Sequence, residues 1–150
     1  MHVQGEEWED ESTRALALKL IVAGHAERNF CPQSLAHRLY ISRRHLYRCL
    51  HSVGGVAEII GVARAETAAM LMVHNPAATM TDIYPAAGFG NDEALRYHFV
   101  RTFGLLPGRY EVGASSHRPV ISQALAQTRA ATGSAHRHHV APAPGFHVQQ

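Results

Sequence analysis

The sequence predicts an all-α protein in which two helix-turn-helix units are joined by a long helix. Three observations lead there. The segment 43–53 divides cleanly into faces, with Leu46, Leu50 and Val53 at i, i+4 and i+7 and with Arg44, Tyr47, Arg48 and His51 on the opposite side. A short helix, a turn and a second helix occur twice: Leu35 and Ile41 match Ile83 and Phe89 at an offset of 48, and Leu46 and Leu50 match Leu95 and Phe99 at 49. Between the copies runs a long apolar-patterned stretch, closed by Asn75 and Pro76.

Taken in order, the first helix is expected to start with Ser12 or Thr13 as cap and to run to about Arg28, with Leu16, Leu20 and Ala23 as its inward stripe. Met1 to Glu11 would be an acidic extension. A short helix follows from Pro32 to about Tyr40, its proline near the first position, where a missing N–H costs nothing. Ser42 then caps a helix from Arg43 to about Ser52, which Gly54 and Gly55 stop. The first unit thus covers about 32–53. The linker helix is expected over about 56–74, with Ile59, Ile60, Ala63, Thr67, Met70 and Leu71 facing the core.

The second unit, about 79–104, begins with a short helix capped by Thr79 or Thr81 and carrying Ile83, Ala86 and Ala87. Gly88 and Phe89 make its turn, and a helix from about Asn91 to Thr102 completes it. Pro85 lies inside the short helix, where it removes a backbone hydrogen bond. From 113 to 150 the composition shifts to Gly, Ala, Ser, Pro and His, too poor in large apolar groups to offset the entropy of ordering, so a disordered tail is expected, with a short helix at about 120–131 as its one candidate element.

Composition narrows the function. An apolar fraction of 46% over 150 residues suits one globular domain, and no stretch approaches the roughly 18 uninterrupted apolar residues of a membrane span. The acidic start is unlike a secretory leader, so a cytoplasmic protein is expected. Two cysteines, Cys31 and Cys49, are too few for a disulfide framework and have no C-x-x-C spacing; Cys49 is expected in the core. The net charge of +2 conceals a basic segment between Leu35 and His51, which has four arginines and no carboxylate.

That segment points to an anionic partner. The second helix of a helix-turn-helix fits the major groove of duplex DNA. Arginine donates two parallel hydrogen bonds to guanine O6 and N7, so Arg44 and Arg48, one turn apart on one face, are suited to neighbouring base pairs. Tyr47 between them is placed for a thymine methyl or a phosphate.

Three stretches, "LAHRLYISRRHLYRCLHSVGG", "ARAETAAML" and "DIYPAAGFGNDEALRYHFVRTFGLLPGRYEV", together resemble the DNA-binding domain of AraC-type transcriptional regulators over about 12–112. The most specific positions are Ile83, Gly88, Phe89, Phe99, Phe103, Gly104, Pro107 and Tyr110, and the wording "GFGNDEALRYHF" is similar to the subgroup fused to amidase-like modules. The resemblance implies a homeodomain-like domain of about seven helices whose linker helix holds two recognition helices in successive major-groove segments. It places base-reading positions at Arg44, Tyr47 and Arg48 in the first unit and at Asp92, Glu93, Arg96 and Tyr97 in the second, with Ser42, Arg43, Asn91 and Arg101 nearer phosphate. It implies double-stranded DNA and RNA polymerase as partners. Tyr40 departs from the pattern, standing at a turn position where the family commonly has glycine.

The alternative reading is a protein-interaction module of the same fold that has lost DNA binding, suggested by the acids at the start of the last helix. No enzyme is expected, since no glycine-rich phosphate loop or nucleophile motif is present. No cofactor and no metal site are expected; the run His136, Arg137, His138, His139 would bind metal only adventitiously. No effector ligand is expected within this chain.

Overall fold

The computed structural model describes residues 3–110, which carry six α-helices and a 3₁₀ turn: α1 (Val3–Gly24), α2 (Pro32–Arg38), α3 (Arg43–His51), α4 (Val56–His74), α5 (Met80–Ala86), α6 (Asp92–Phe103) and the turn Pro107–Arg109. The tail expected to be disordered, and the short helix at 120–131, lie outside the described residues.

Helix α1 is where expectation and structure part most. It begins far ahead of Ser12 and absorbs most of the acidic extension. Glutamate is a good helix former, and the acids of the first turns sit favourably against the positive end of the helix dipole. The helix also ends early, at Gly24, because the chain folds back there: a Cβ on Gly24 would stand 3.0 Å from the Phe30 ring, and Phe30 is buried. Its buried stripe is Ala17, Leu18 and Ile21, while Leu16 and Ala23 face outward. Apolar residues nearly encircle this part of the helix, so periodicity could not choose between two adjacent faces.

Two cores form along the chain. Ala17, Leu18 and Ile21 of α1, Phe30, Leu35 and Ala36, Leu46 and Leu50 of α3, and the first half of α4 make one. Ala65, Ala68 and Ala69 of α4, Ile83, Ala87 and Phe89, and Leu95 and Phe99 of α6 make the other. Helix α4 belongs to both, and this shapes its buried face. Ile59, Ile60 and Ala63 are buried as expected, but Met70 is 61% exposed and alanines take the remaining places. The second core approaches α4 from another side, and small residues admit α6 closely: a Cβ on Gly61 would come within 2.2 Å of the His98 ring.

Beyond α6 the chain turns at Gly104, which has a left-handed backbone (φ 76°), and Tyr110 packs back on Phe99 and Phe103 with ring centroids 5.3 and 5.0 Å away. No helix among the described residues is long and apolar enough to cross a membrane.

Candidate nucleic-acid interface

Each unit is shaped by the way its first helix ends. After α2 the chain closes with Tyr40 N–H donating to His37 O and Ile41 N–H donating to Ala36 O, both 3.1 Å. This paired closure requires the first of the two donors to be left-handed, and Tyr40 is so at φ 55°. After α5 the same two bonds recur, Gly88 N–H to Pro85 O at 3.1 Å and Phe89 N–H to Tyr84 O at 2.8 Å, with Gly88 at φ 93°. Pro85 is accommodated because only the last turn of a seven-residue helix loses its bond, and the Thr79–Asp82 capping box secures the other end.

The second helix of each unit starts from a matching cap. Ser42 Oγ accepts from His45 N–H at 3.1 Å, and Asn91 Oδ1 accepts from Ala94 N–H at 2.7 Å. Leu46, Cys49 and Leu50 anchor α3 in the core and leave Arg43, Arg44, Tyr47, Arg48 and His51 exposed. Leu95 and Phe99 anchor α6 and leave Glu93, Arg96, Tyr97 and Arg101 exposed.

Their charges are managed differently. Arg43 and Arg44 have no carboxylate partner among the described residues. On α6, Arg96 pairs with Asp92 at 2.8 Å, while Arg101 reaches back to Glu58 of α4 at 3.2 Å and lies over the Tyr97 ring. Asp92 spends one oxygen on Arg96, and its other oxygen is buried with no hydrogen-bond partner among the described residues.

Arg48 is intermediate. Its guanidinium is 62% exposed, yet Nε and Nη2 each donate to an oxygen of Asp10 at 3.1 Å, and this bond holds the Asp10 carboxyl below its usual value. The same Asp10 lies 3.1 Å from His45 Nε2 and accepts from the Cys49 thiol at 3.4 Å. Arg14 adds a bond from Nε to Cys49 O at 2.7 Å, so the acidic half of α1 is strapped along α3. Sequence reasoning missed Asp10; the one available signal was a basic segment without acids, facing an acidic one earlier in the chain.

A further set of residues fixes the two units against each other. Arg64, on α4, donates to His25 O at 2.9 Å and to Phe30 O at 2.7 Å. His25 also meets Thr67 Oγ1 at 2.6 Å. Gly88 presses on the same loop, since a Cβ there would stand 2.4 Å from His25 O. The 25–30 loop that leads into the first unit, the linker helix and the turn of the second unit therefore share one joint. In sequence Arg64 is a lone cation inside an apolar helix, a signal that could have marked it.

A family model described as a helix-turn-helix domain matches residues 35–111, a little over half of the 150 residues. No curated protein and no solved structure matches the chain.

Proposed function

The chain belongs to the AraC-type helix-turn-helix family, whose members bind DNA to regulate transcription, and from that premise we propose that α3 and α6 enter successive major-groove segments of one duplex, with α3 supplying most of the base readout. The observation that carries this is the outward arginine face of α3, where Arg43 and Arg44 project without an acid partner among the described residues while Leu46 and Leu50 hold the helix from behind. Arg44 and Arg48 would each take a guanine edge. Tyr47 would lie against a thymine methyl or a phosphate, and Ser42, Arg43, Asn91 and Arg101 would lie nearer the backbone. In the second unit Arg96, Tyr97, Glu93 and Asp92 occupy the base-facing positions, with Asp92 and Arg96 already engaged to each other.

Rigid spacing supports the reading. Helix α4 is about 28 Å long at 1.5 Å per residue, comparable with the roughly 34 Å of one DNA turn. The Arg64 joint would keep the two units in register. A protein held this way would cover an asymmetric site of about two turns and act by recruiting or obstructing RNA polymerase.

The paired charges of α6 favour a second reading for that helix, a protein-contacting face. Salt separates the two, because phosphate-driven binding weakens steeply between about 50 and 200 mM while an apolar protein contact changes little.

The test starts with selection of bound oligonucleotides from a random pool, followed by competition gel-shifts on the selected site. Arg44→Ala is expected to cost about 1–3 kcal/mol and to relax preference at one base pair. Arg96→Ala should cost less, having an internal partner to lose. Unchanged affinity and unchanged sequence preference in both Arg44→Ala and Arg48→Ala would refute readout by α3.

A further inference from the structure

Asp10 comes together with His45 and Cys49, which follow it by 35 and 39 residues, and the ligand-type atoms of the three all lie within 4.8 Å of one another. Asp10 Oδ1 is the centre of the group, 3.1 Å from His45 Nε2 and 3.4 Å from Cys49 Sγ. Ligands of a tetrahedral zinc ion, bound at about 2.0–2.3 Å, stand about 3.3–3.8 Å from each other, so small side-chain shifts would seat a cation among these three atoms. His45 and Cys49 sit at i and i+4 on α3 and share a face. One nitrogen, one sulfur and one carboxylate oxygen form a donor set for a borderline-soft ion, and the partial exposure of Asp10 and His45 leaves room for a solvent ligand in a fourth position.

We propose that Asp10, His45 and Cys49 form a binding site for a thiophilic divalent cation, represented by Zn2+, which bridges the acidic half of α1 to the first recognition helix. Binding replaces the thiol proton of Cys49, which leaves to solvent, with a sulfur–metal bond. Asp10 Oδ2, which accepts from Arg48 Nε, stays outside the coordination sphere and orients the carboxylate. Oδ1, which accepts from Arg48 Nη2 in the structure, passes to the ion. The three ligands plus the dication carry one more positive charge than the carboxylate, thiol and neutral imidazole they replace. Arg48 is therefore held less tightly and the surface of α3 becomes more attractive to phosphate; this consequence, unlike the site itself, rests on the DNA-binding reading.

Cobalt(II) titration of the reduced 150-residue chain tests the site, because a thiolate ligand gives a near-ultraviolet charge-transfer band and four-coordination gives intense visible bands. A single equivalent should develop both, and zinc should abolish them. Cys49→Ser should lose the charge-transfer band. Asp10→Asn and His45→Gln, changes at partly exposed positions checked for folding by circular dichroism, should each weaken cobalt binding by more than about tenfold. Cys31→Ser and the combined His136→Ala, His138→Ala, His139→Ala variant should bind as the parent does. The site is refuted if the parent shows no thiolate band, if Asp10→Asn and His45→Gln bind like the parent, or if the band follows Cys31 or the tail histidines. With the site present, zinc should tighten DNA binding several-fold in the parent and not in His45→Gln; an intact cobalt band with no zinc effect on DNA overturns the coupling to Arg48 while leaving the site standing.

Discussion

The two helix-turn-helix units close their turns with the same pair of backbone bonds, yet one places tyrosine and the other glycine at the left-handed position. Their surroundings explain it. Tyr40 is 95% exposed, so its side chain leaves into solvent and the cost is confined to the backbone. Gly88 lies against His25 O, Ala26 Cα and Arg64 Nε, where any Cβ collides. Torsional preference alone makes glycine desirable in the first turn; close approach makes it necessary in the second. A similar contrast governs charge: among the described residues α3 keeps two arginines without a carboxylate partner, whereas α6 spends its arginines on Asp92 and Glu58.

The largest expected effect therefore comes from Gly88→Ala. Both the backbone angle and the 2.4 Å approach to a carbonyl oxygen oppose it, so a loss of about 3 kcal/mol or more is expected in urea unfolding followed by circular dichroism. A loss below about 1 kcal/mol would show that the joint at His25 yields easily, and the distinction between the turns would vanish. The mirror experiment is Tyr40→Gly. Relief of left-handed strain gives about 1–2 kcal/mol, offset by about 0.4–1 kcal/mol of added freedom in the unfolded chain. A net gain of about 0.5–1 kcal/mol should raise the thermal midpoint by a few degrees; a fall in the midpoint would mean that the tyrosine ring makes a stabilising contact.

The smallest effect concerns His98, packed over Gly61 and stacked on Phe89 at 5.7 Å. Burial lowers its folded value below the ordinary 6.5, so the unfolded chain takes up a proton first as the pH falls. Its contribution to stability is whole above 6.5 and is lost as the pH drops through the lower folded value. His98→Gln should accordingly show a shallower fall in unfolding midpoint than the parent between about pH 7 and about pH 5. Equal slopes would place the acid sensitivity elsewhere among the histidines.

Much of this was readable in one dimension. The cap Ser42, the stops at Gly54 and Gly55, a helix start near Asn91 and the outward set Arg44, Tyr47, Arg48 and His51 all stand where residue spacing put them, and the turn at Tyr40 stands where the family resemblance put it. The inward faces of α1 and the outer half of α4 did not, because helices with apolar residues on several sides offer more than one stripe. Nor did spacing reveal the strap from Asp10 to α3 or the Arg64 joint, whose partners lie tens of residues apart.

By itself, then, the sequence determined whatever depends on neighbours within one or two turns: the starts and ends of the helices after α1, and the polarity of α3. Tertiary structure decided which of two apolar faces is buried, which arginines have partners, and which left-handed residue has no room for a side chain. Local hydrogen bonds and torsions act over a few residues, whereas ion pairs, burial and steric contact depend on distances that exist only once the helices have packed.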